Sequence, residues 1–150
     1  IRSISHRLAP SFFDYTTIED TFKELLENFN TEKKYEVNLN IDFTKLQGVI
    51  NSEMQLNLYR ILQEQLRNIS KYANAKKVSV ESSIENNNFI MQIIDDGIGF
   101  DFLSVKKGIG LANIRRRAEL FSGRMDIISS HGKGCKIIIK KLFFKASFYF

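Results

Sequence analysis

Cysteine, proline and tryptophan are almost missing from this sequence, with one Cys, one Pro and no Trp in 150 residues. A lone thiol, Cys135, excludes a disulfide framework and a cysteine-based zinc cluster. The two histidines, His6 and His131, lie too far apart in sequence to show a metal-ligand spacing. No apolar run approaches the roughly 20 residues needed to cross a bilayer, and no secretory leader is visible. Residue 1 is Ile, so the sequence reads as a piece of a longer chain. Charge of either sign is never concentrated into a long block. The 22 basic and 17 acidic residues leave a net charge of +5, with the densest basic group at 115–117. Scattered in this way, the lysines and arginines read as solvated surface rather than as a nucleic-acid footprint. They would also suit a phosphate-rich small ligand. What the chain does have is a hydrophobic share of 43%, enough for a core without staples.

Periodicity divides the chain into alternating elements. The first thirty residues read as helical. Pro10 forces a break, Thr17 and Asp20 fit a capping box, and Phe22, Leu25, Leu26 and Phe29 recur at helical spacing. Residues 35–43 alternate Val37, Leu39, Ile41 and Phe43 with polar neighbours, which predicts a strand. A loop is expected over 44–52, then a helix to about Ala73 with its apolar stripe on Leu58, Ile61, Leu62, Leu66 and Ile69. Strands are expected over 77–85 and 89–95, joined by an Asn-rich turn at 86–88. A second helix is expected over 110–122 with Gly123 as its stop. Strands over 125–130 and 135–142 complete the pattern, and the aromatic tail that follows has no clear period. The order predicts an α/β fold, a two-layer sandwich whose largely antiparallel sheet is covered by helices on one face.

Glycine is scarce before residue 97 and then clusters. Seven of the eight glycines follow residue 96, and six of them form Gly-x-Gly units at 97/99, 108/110 and 132/134. Two of these units bracket a loop leading into a helix start, where free N–H groups favour phosphate. Neither the P-loop nor the Rossmann spacing is present. On the long helix, Glu64, Asn68 and Lys71 are spaced to share one face opposite the apolar stripe. A carboxylate, a neutral amide oxygen and an ammonium on one stripe suit a magnesium-bound polyphosphate.

In order, these residues make a specific pattern. Glu64-x-x-x-Asn68, Asp95-Asp96-Gly97-Ile98-Gly99-Phe100, Gly108-Ile109-Gly110-Leu111-Ala112-Asn113 and Gly132-x-Gly134 resemble the N, G1, G2 and terminal boxes of the GHKL ATPases. Residues 60–75 and 114–123 are similar to the corresponding stretches of sensor histidine kinases of the nitrate-sensor class. The resemblance spans nearly the whole chain. It implies the Bergerat ATP-binding fold, a mixed and mostly antiparallel sheet with helices on one face, over residues 32–150. Residues 1–31 would then be the end of a helical dimerisation region.

The resemblance also implies roles. Asp95 would accept from the adenine amino group, with Gly97 and Gly99 letting the base approach backbone. Asn68 would hold Mg²⁺, Lys71 would face phosphate, and Gly108, Gly110 and Leu111 would line the triphosphate. Glu64 would be the general base or would orient the accepting histidine. Lys106 and Lys107 lie in the expected lid, while Arg115 and Arg117 are expected to point away from the nucleotide. The sequence departs from the family pattern at Cys135, where a Thr is usual, and at Tyr72, where this class often has His.

The activity so implied is transfer of the γ-phosphoryl of Mg-ATP to a histidine, for relay to a response-regulator receiver domain. His6 is a poor acceptor candidate, being followed by Arg7 and with Pro10 four positions on. The accepting histidine is therefore expected outside this chain. The partners implied are ATP, a receiver domain and a second copy of the parent through its dimerisation helices, with no nucleic acid. A cytoplasmic location follows for this portion, with membrane anchoring of the parent left open. The rival readings are a serine kinase of the anti-sigma type, an ATP-hydrolysing switch and, more remotely, a basic nucleic-acid-binding module.

Overall fold

A computed structural model of the chain describes residues 16–101, 103 and 109–143. Helix α1 (Ile18–Phe29) leads into strand β1 (Glu36–Asn40), a short helix α2 (Phe43–Leu46) and the long helix α3 (Ser52–Asn68). A single π-helical stretch, Ile69–Ala73, continues α3. The hairpin β2 (Lys77–Glu85) and β3 (Asn88–Asp95) follows, then α4 (Ile109–Leu120) and the hairpin β4 (Arg124–Ser129) and β5 (Cys135–Leu142). The five strands of the described residues lie in the order β1-β2-β3-β5-β4.

Local chemistry explains where the elements begin and turn. The Thr17 hydroxyl accepts from Asp20 N at 3.0 Å, and Asn51 Oδ1 accepts from Met54 N at 2.9 Å, so α1 and α3 both start on a side-chain cap. Asn86 and Asn87 hold φ of 50° and 64°, the left-handed pair that a two-residue hairpin of matching twist requires. The antiparallel pairs run β2–β3, β3–β5 and β4–β5. Among the described residues only β1 pairs in parallel, with Val37 opposite Val78 and Leu39 opposite Val80, because α3 carries the chain across the sheet before β2 begins.

One face of the sheet is covered. Val78, Val80, Met91, Ile93, Ile137 and Ile139 point into a core completed by Leu58, Ile61 and Leu62 of α3 and Ile114 and Ala118 of α4, all at most 1% exposed. Each Val, Leu, Ile or Met among them contributes roughly 1.5–3 kcal/mol by leaving water. Alternate strand residues, among them Ile90, Gln92, Lys136 and Ile138, stay half-buried on the other face.

Several expectations are corrected in detail. The strand expected over 35–43 stops at Asn40, because Asp42 caps the start of α2 through Thr44 N at 3.2 Å. The helix expected to run to Ala73 keeps α geometry only to Asn68, then widens and ends at Asn74, whose φ is 48°. Ser122, not Gly123, carries the positive φ (59°) that stops α4. Gly123 follows and donates to Ala118 O at 2.8 Å.

The boundary expected at residue 31 is not a break in packing. Ile18, Phe22 and Leu26 of α1 enter the same core as α3, and Phe22 meets Phe43 edge-on at 6.1 Å. An amphipathic helix of this kind gains its stability from the surface it covers. His6, Lys106, Lys107, Gly108 and the tail 144–150 lie outside the described residues. No helix among the described residues is long and apolar enough to cross a membrane.

Candidate functional site

A cavity of about 730 Å³ opens between α3 with its π-helical extension, the start of α4 and the ends of β3 and β5. That volume is in the range of small-molecule sites. Glu64, Asn68 and Lys71 line its α3 wall, Gly110 and Leu111 its α4 wall, and Asp95, Gly99 and Cys135 its floor. Of the candidate residues, Gly97 stands just behind this lining and Gly108 lies outside the described residues. Arg67, Tyr72, Ile98 and Phe100 complete the rim.

The floor is built by three close approaches of backbone to backbone. A Cβ on Gly97 would sit 2.2 Å from Ala73 O, one on Gly99 2.1 Å from Ser130 O, and one on Gly134 2.0 Å from Asp95 O. No side chain fits at such distances, so glycine is required by space at all three and by a positive φ at Gly99 and Gly134. The loop that these glycines allow is held by hydrogen bonds. Ile98 N donates to Ala73 O (2.7 Å), Gly132 N to Ile98 O (2.6 Å), and Phe100 N to Ser129 Oγ (2.9 Å). Ser129 Oγ in turn donates to Gly134 O at 2.8 Å, tying both Gly-x-Gly turns to one hydroxyl.

Two adjacent carboxylates are treated in opposite ways. Asp95 ends β3 at 4% exposure and accepts from Gly97 N at 2.9 Å. Burial drives its carboxyl above the ordinary carboxylate range, against the pull of the Gly97 N–H. Asp96 is exposed and its Oδ1 accepts from Lys76 N and Lys77 N, both at 2.8 Å. Those backbone donors hold it below the ordinary range. Asp95 thus lines the cavity floor as a buried carboxyl held by backbone N–H groups, while Asp96 clamps the glycine loop to the junction between the π-helical turn and β2. Cys135, opposite Asp95 in the ladder, is 6% exposed, and burial beside that carboxylate pushes its thiol up to about 12.

At the other end, Asn68 Nδ2 donates to Gln65 Oε1 at 3.3 Å, which leaves the amide oxygen as the outward group. Glu64 Oε1 pairs with Arg67 Nη2 at 2.8 Å. A Cβ on Gly110 would lie 2.8 Å from Glu64 Oε1 and 2.9 Å from Asn68 Oδ1, so a glycine here is what lets α4 start against the α3 stripe. Among the described residues no group of three His, Cys, Asp or Glu converges on a metal site. A single amide oxygen with open space beside it fits a magnesium ion that takes its other ligands from phosphates and water. The structure thus brings Glu64, Asn68, Lys71, Asp95, Gly99, Gly110 and Leu111 around one space, with Gly97 supporting it. Sequence reasoning missed Asp96, Gln65, Ser129 and Arg67. The doubled Asp at 95–96 was a visible signal, whereas Ser129 acts only through a loop distant in sequence.

Residues 53–145 match the histidine kinase-, DNA gyrase B-, and HSP90-like ATPase family, and the chain belongs to that family. ATP use follows from that membership. The chain is 30% identical over 142 residues to the oxygen sensor histidine kinase NreB of Staphylococcus carnosus, covering 93% of this chain and 40% of that protein. It is also 30% identical over 141 residues to the sensor histidine kinase LiaS of Bacillus subtilis, with 93% and 38% covered. It thus spans about 40% of the length of the first and 38% of the second. Among solved structures, a blue-light activated histidine kinase of Erythrobacter litoralis superposes with a TM-score of 0.66 at 16% identity, over 79% of this chain and 39% of that one. The histidine kinase AdeS of Acinetobacter baumannii superposes with a TM-score of 0.63 at 18% identity, over 83% and 64%. At these identities the superpositions establish the shared α/β fold.

Proposed function

We propose that this chain is the ATP-binding catalytic domain of a two-component sensor histidine kinase, which transfers the γ-phosphoryl of ATP to a histidine of the parent protein for relay to a response regulator. The observation that carries the proposal is one cavity with a buried carboxylate at one end and a Glu–Asn–Lys wall facing a helix start at the other. Asp95 would accept from the adenine amino group, and the glycine loop would let the base lie against backbone. Asn68 would ligate Mg²⁺ through Oδ1, Lys71 would offset phosphate charge, and the N–H groups at the start of α4 would face the triphosphate. Bound magnesium would supply charge neutralisation of the phosphates. Glu64 would accept the proton of the acceptor imidazole or orient that ring. The shared core of α1 and α3 supports reading α1 with the catalytic domain, and the dimerisation region would then end ahead of Thr17. Homodimerisation, the receiver domain and a cytoplasmic position belong to the parent protein in the same reading.

Thermal melting with and without Mg-ATP, on this chain and on Asp95→Asn, tests the nucleotide site. At a hundredfold excess over the dissociation constant, linkage gives about 2.7 kcal/mol of stabilisation. The expected result is a magnesium-dependent rise that the variant loses; no rise at millimolar ATP overturns it. With ATP bound, this chain is expected to show no acid-labile phosphate on His6. Steady ATP hydrolysis by the chain alone would instead favour an ATP-hydrolysing switch, and phosphate on a serine of an added protein would favour a serine kinase.

A further inference from the structure

We propose that Arg67 is the residue that distinguishes ATP from ADP at this site, leaving its ion pair with Glu64 to engage the γ-phosphate when ATP enters. The proposal rests on the nucleotide reading above and concerns a residue that reading does not use.

Arg67 lines the same cavity as Asn68 and Lys71, and its partner Glu64 stands beside Gly110 where α4 begins. Its guanidinium reaches Glu64 Oε1 at 2.8 Å, and the two side chains differ in exposure, 60% for Arg67 against 16% for Glu64. The carboxylate is thus enclosed beside Gly110, while the arginine lies largely in solvent. A Glu64 charge at the phosphate end repels an incoming triphosphate unless a cation stands between them. Arg67 is placed to be that cation. Its present contact is a half-exposed i, i+3 pair, a weak interaction that is cheaply exchanged. A guanidinium matches a phosphate through two parallel N–H bonds, which is a stronger and more directional contact. ADP brings no γ-phosphate and would leave the Arg67–Glu64 pair intact. The exchange would therefore couple the presence of the transferable group to release of the carboxylate.

Calorimetric titration with Mg-ATP and with Mg-ADP on the wild-type chain, Arg67→Ala, Arg67→Lys, Glu64→Gln and the Glu64→Gln/Arg67→Ala double variant tests this. Arg67→Ala should weaken ATP binding by about tenfold and ADP binding by less than about twofold. Arg67→Lys should recover part of the loss, since lysine restores the charge without the fork. The Arg67→Ala loss should persist when Glu64 is already Gln. Equal loss for both nucleotides, no loss, or full rescue by Glu64→Gln overturns the proposal, the last by showing that Arg67 serves only to neutralise Glu64. A wild-type chain that binds neither nucleotide overturns the underlying reading, and this inference with it.

Discussion

Four glycines hold φ in the same left-handed range and differ in what stands where a side chain would go, which separates two costs that mutation normally confounds. Gly48, Gly99, Gly132 and Gly134 hold φ between +61° and +76°. At Gly48 and Gly132 nothing lies within 4 Å of the position a Cβ would take. Alanine at either should cost about 1 kcal/mol, the penalty of a left-handed conformation. At Gly99 the Cβ would fall 2.1 Å from Ser130 O and 2.7 Å from Gly134 O, and at Gly134 it would fall 2.0 Å from Asp95 O. All of these are backbone atoms, so relief requires the two loops to separate. Separation at Gly99 breaks the Gly132–Ile98 bond of 2.6 Å and the Phe100–Ser129 bond of 2.9 Å. At about 1 kcal/mol for each bond, Gly99→Ala totals about 3 kcal/mol. For a domain of this size 1 kcal/mol moves the melting point by about 4 °C. Urea unfolding of the four alanine variants should therefore fall into two groups, Gly48 and Gly132 near 1 kcal/mol and Gly99 and Gly134 near three. The second pair should also lose the Mg-ATP stabilisation, because the loop it displaces carries the floor of the cavity. Equal destabilisation across all four would refute the close-approach reasoning and leave only the backbone angle.

The two neighbouring aspartates should respond oppositely to pH. Asp95 is raised above its ordinary 3.8 by burial, so its ionised form costs stability at neutral pH, and that cost is relieved as pH falls from the raised value toward 3.8. Asp95→Asn should therefore melt no lower than wild type at pH 7, with any advantage shrinking on acidification. Asp96 is held low by backbone donors and contributes stability above 3.8 that is lost as pH falls through its lowered value. Asp96→Asn should melt lower at pH 7 and converge with wild type in acid; melting curves from pH 3 to 7 check both. With its thiol pushed up to about 12, Cys135 should be only about one part in ten thousand thiolate at pH 8. Iodoacetamide should label it slowly in the native chain and rapidly in urea, and fast native labelling would contradict its burial. Phe22→Ala should cost about 3–5 kcal/mol in one cooperative transition, because α1 shares the core. A separate low-temperature transition for α1 would place it outside the domain.

Much of this architecture was legible because it is written locally. The double Asn at 86–87, the alternation on either side of it and the Thr17 cap each declare themselves within a few residues. The parallel pairing of β1 was not legible, since a strand's partner depends on where α3 delivers the chain. Helix α2 escaped notice because its four residues carry no periodicity and depend on the Asp42 cap. The switch to π geometry after Asn68 leaves the helical sequence pattern unchanged, so nothing local marks it. At the site, the ordered boxes brought forward the residues that face the cavity. The supporting contacts of Asp96, Ser129 and Gln65 are either non-local or share a helix with more conspicuous neighbours.

The strand order β1-β2-β3-β5-β4 also carries a kinetic consequence. The two hairpins, β2–β3 and β4–β5, close over short turns and can form without waiting for the rest of the chain. Joining β3 to β5, and docking α3 over the sheet with β1 alongside β2, requires long stretches of chain to come together. Every wall of the cavity depends on one of those late events, since Asp95 meets Cys135 across the β3–β5 seam and Asn68 reaches it only from the docked α3. Affinity for the nucleotide therefore arises at the end of folding, and recovery of binding after dilution from urea should report completion of the domain rather than its first collapse.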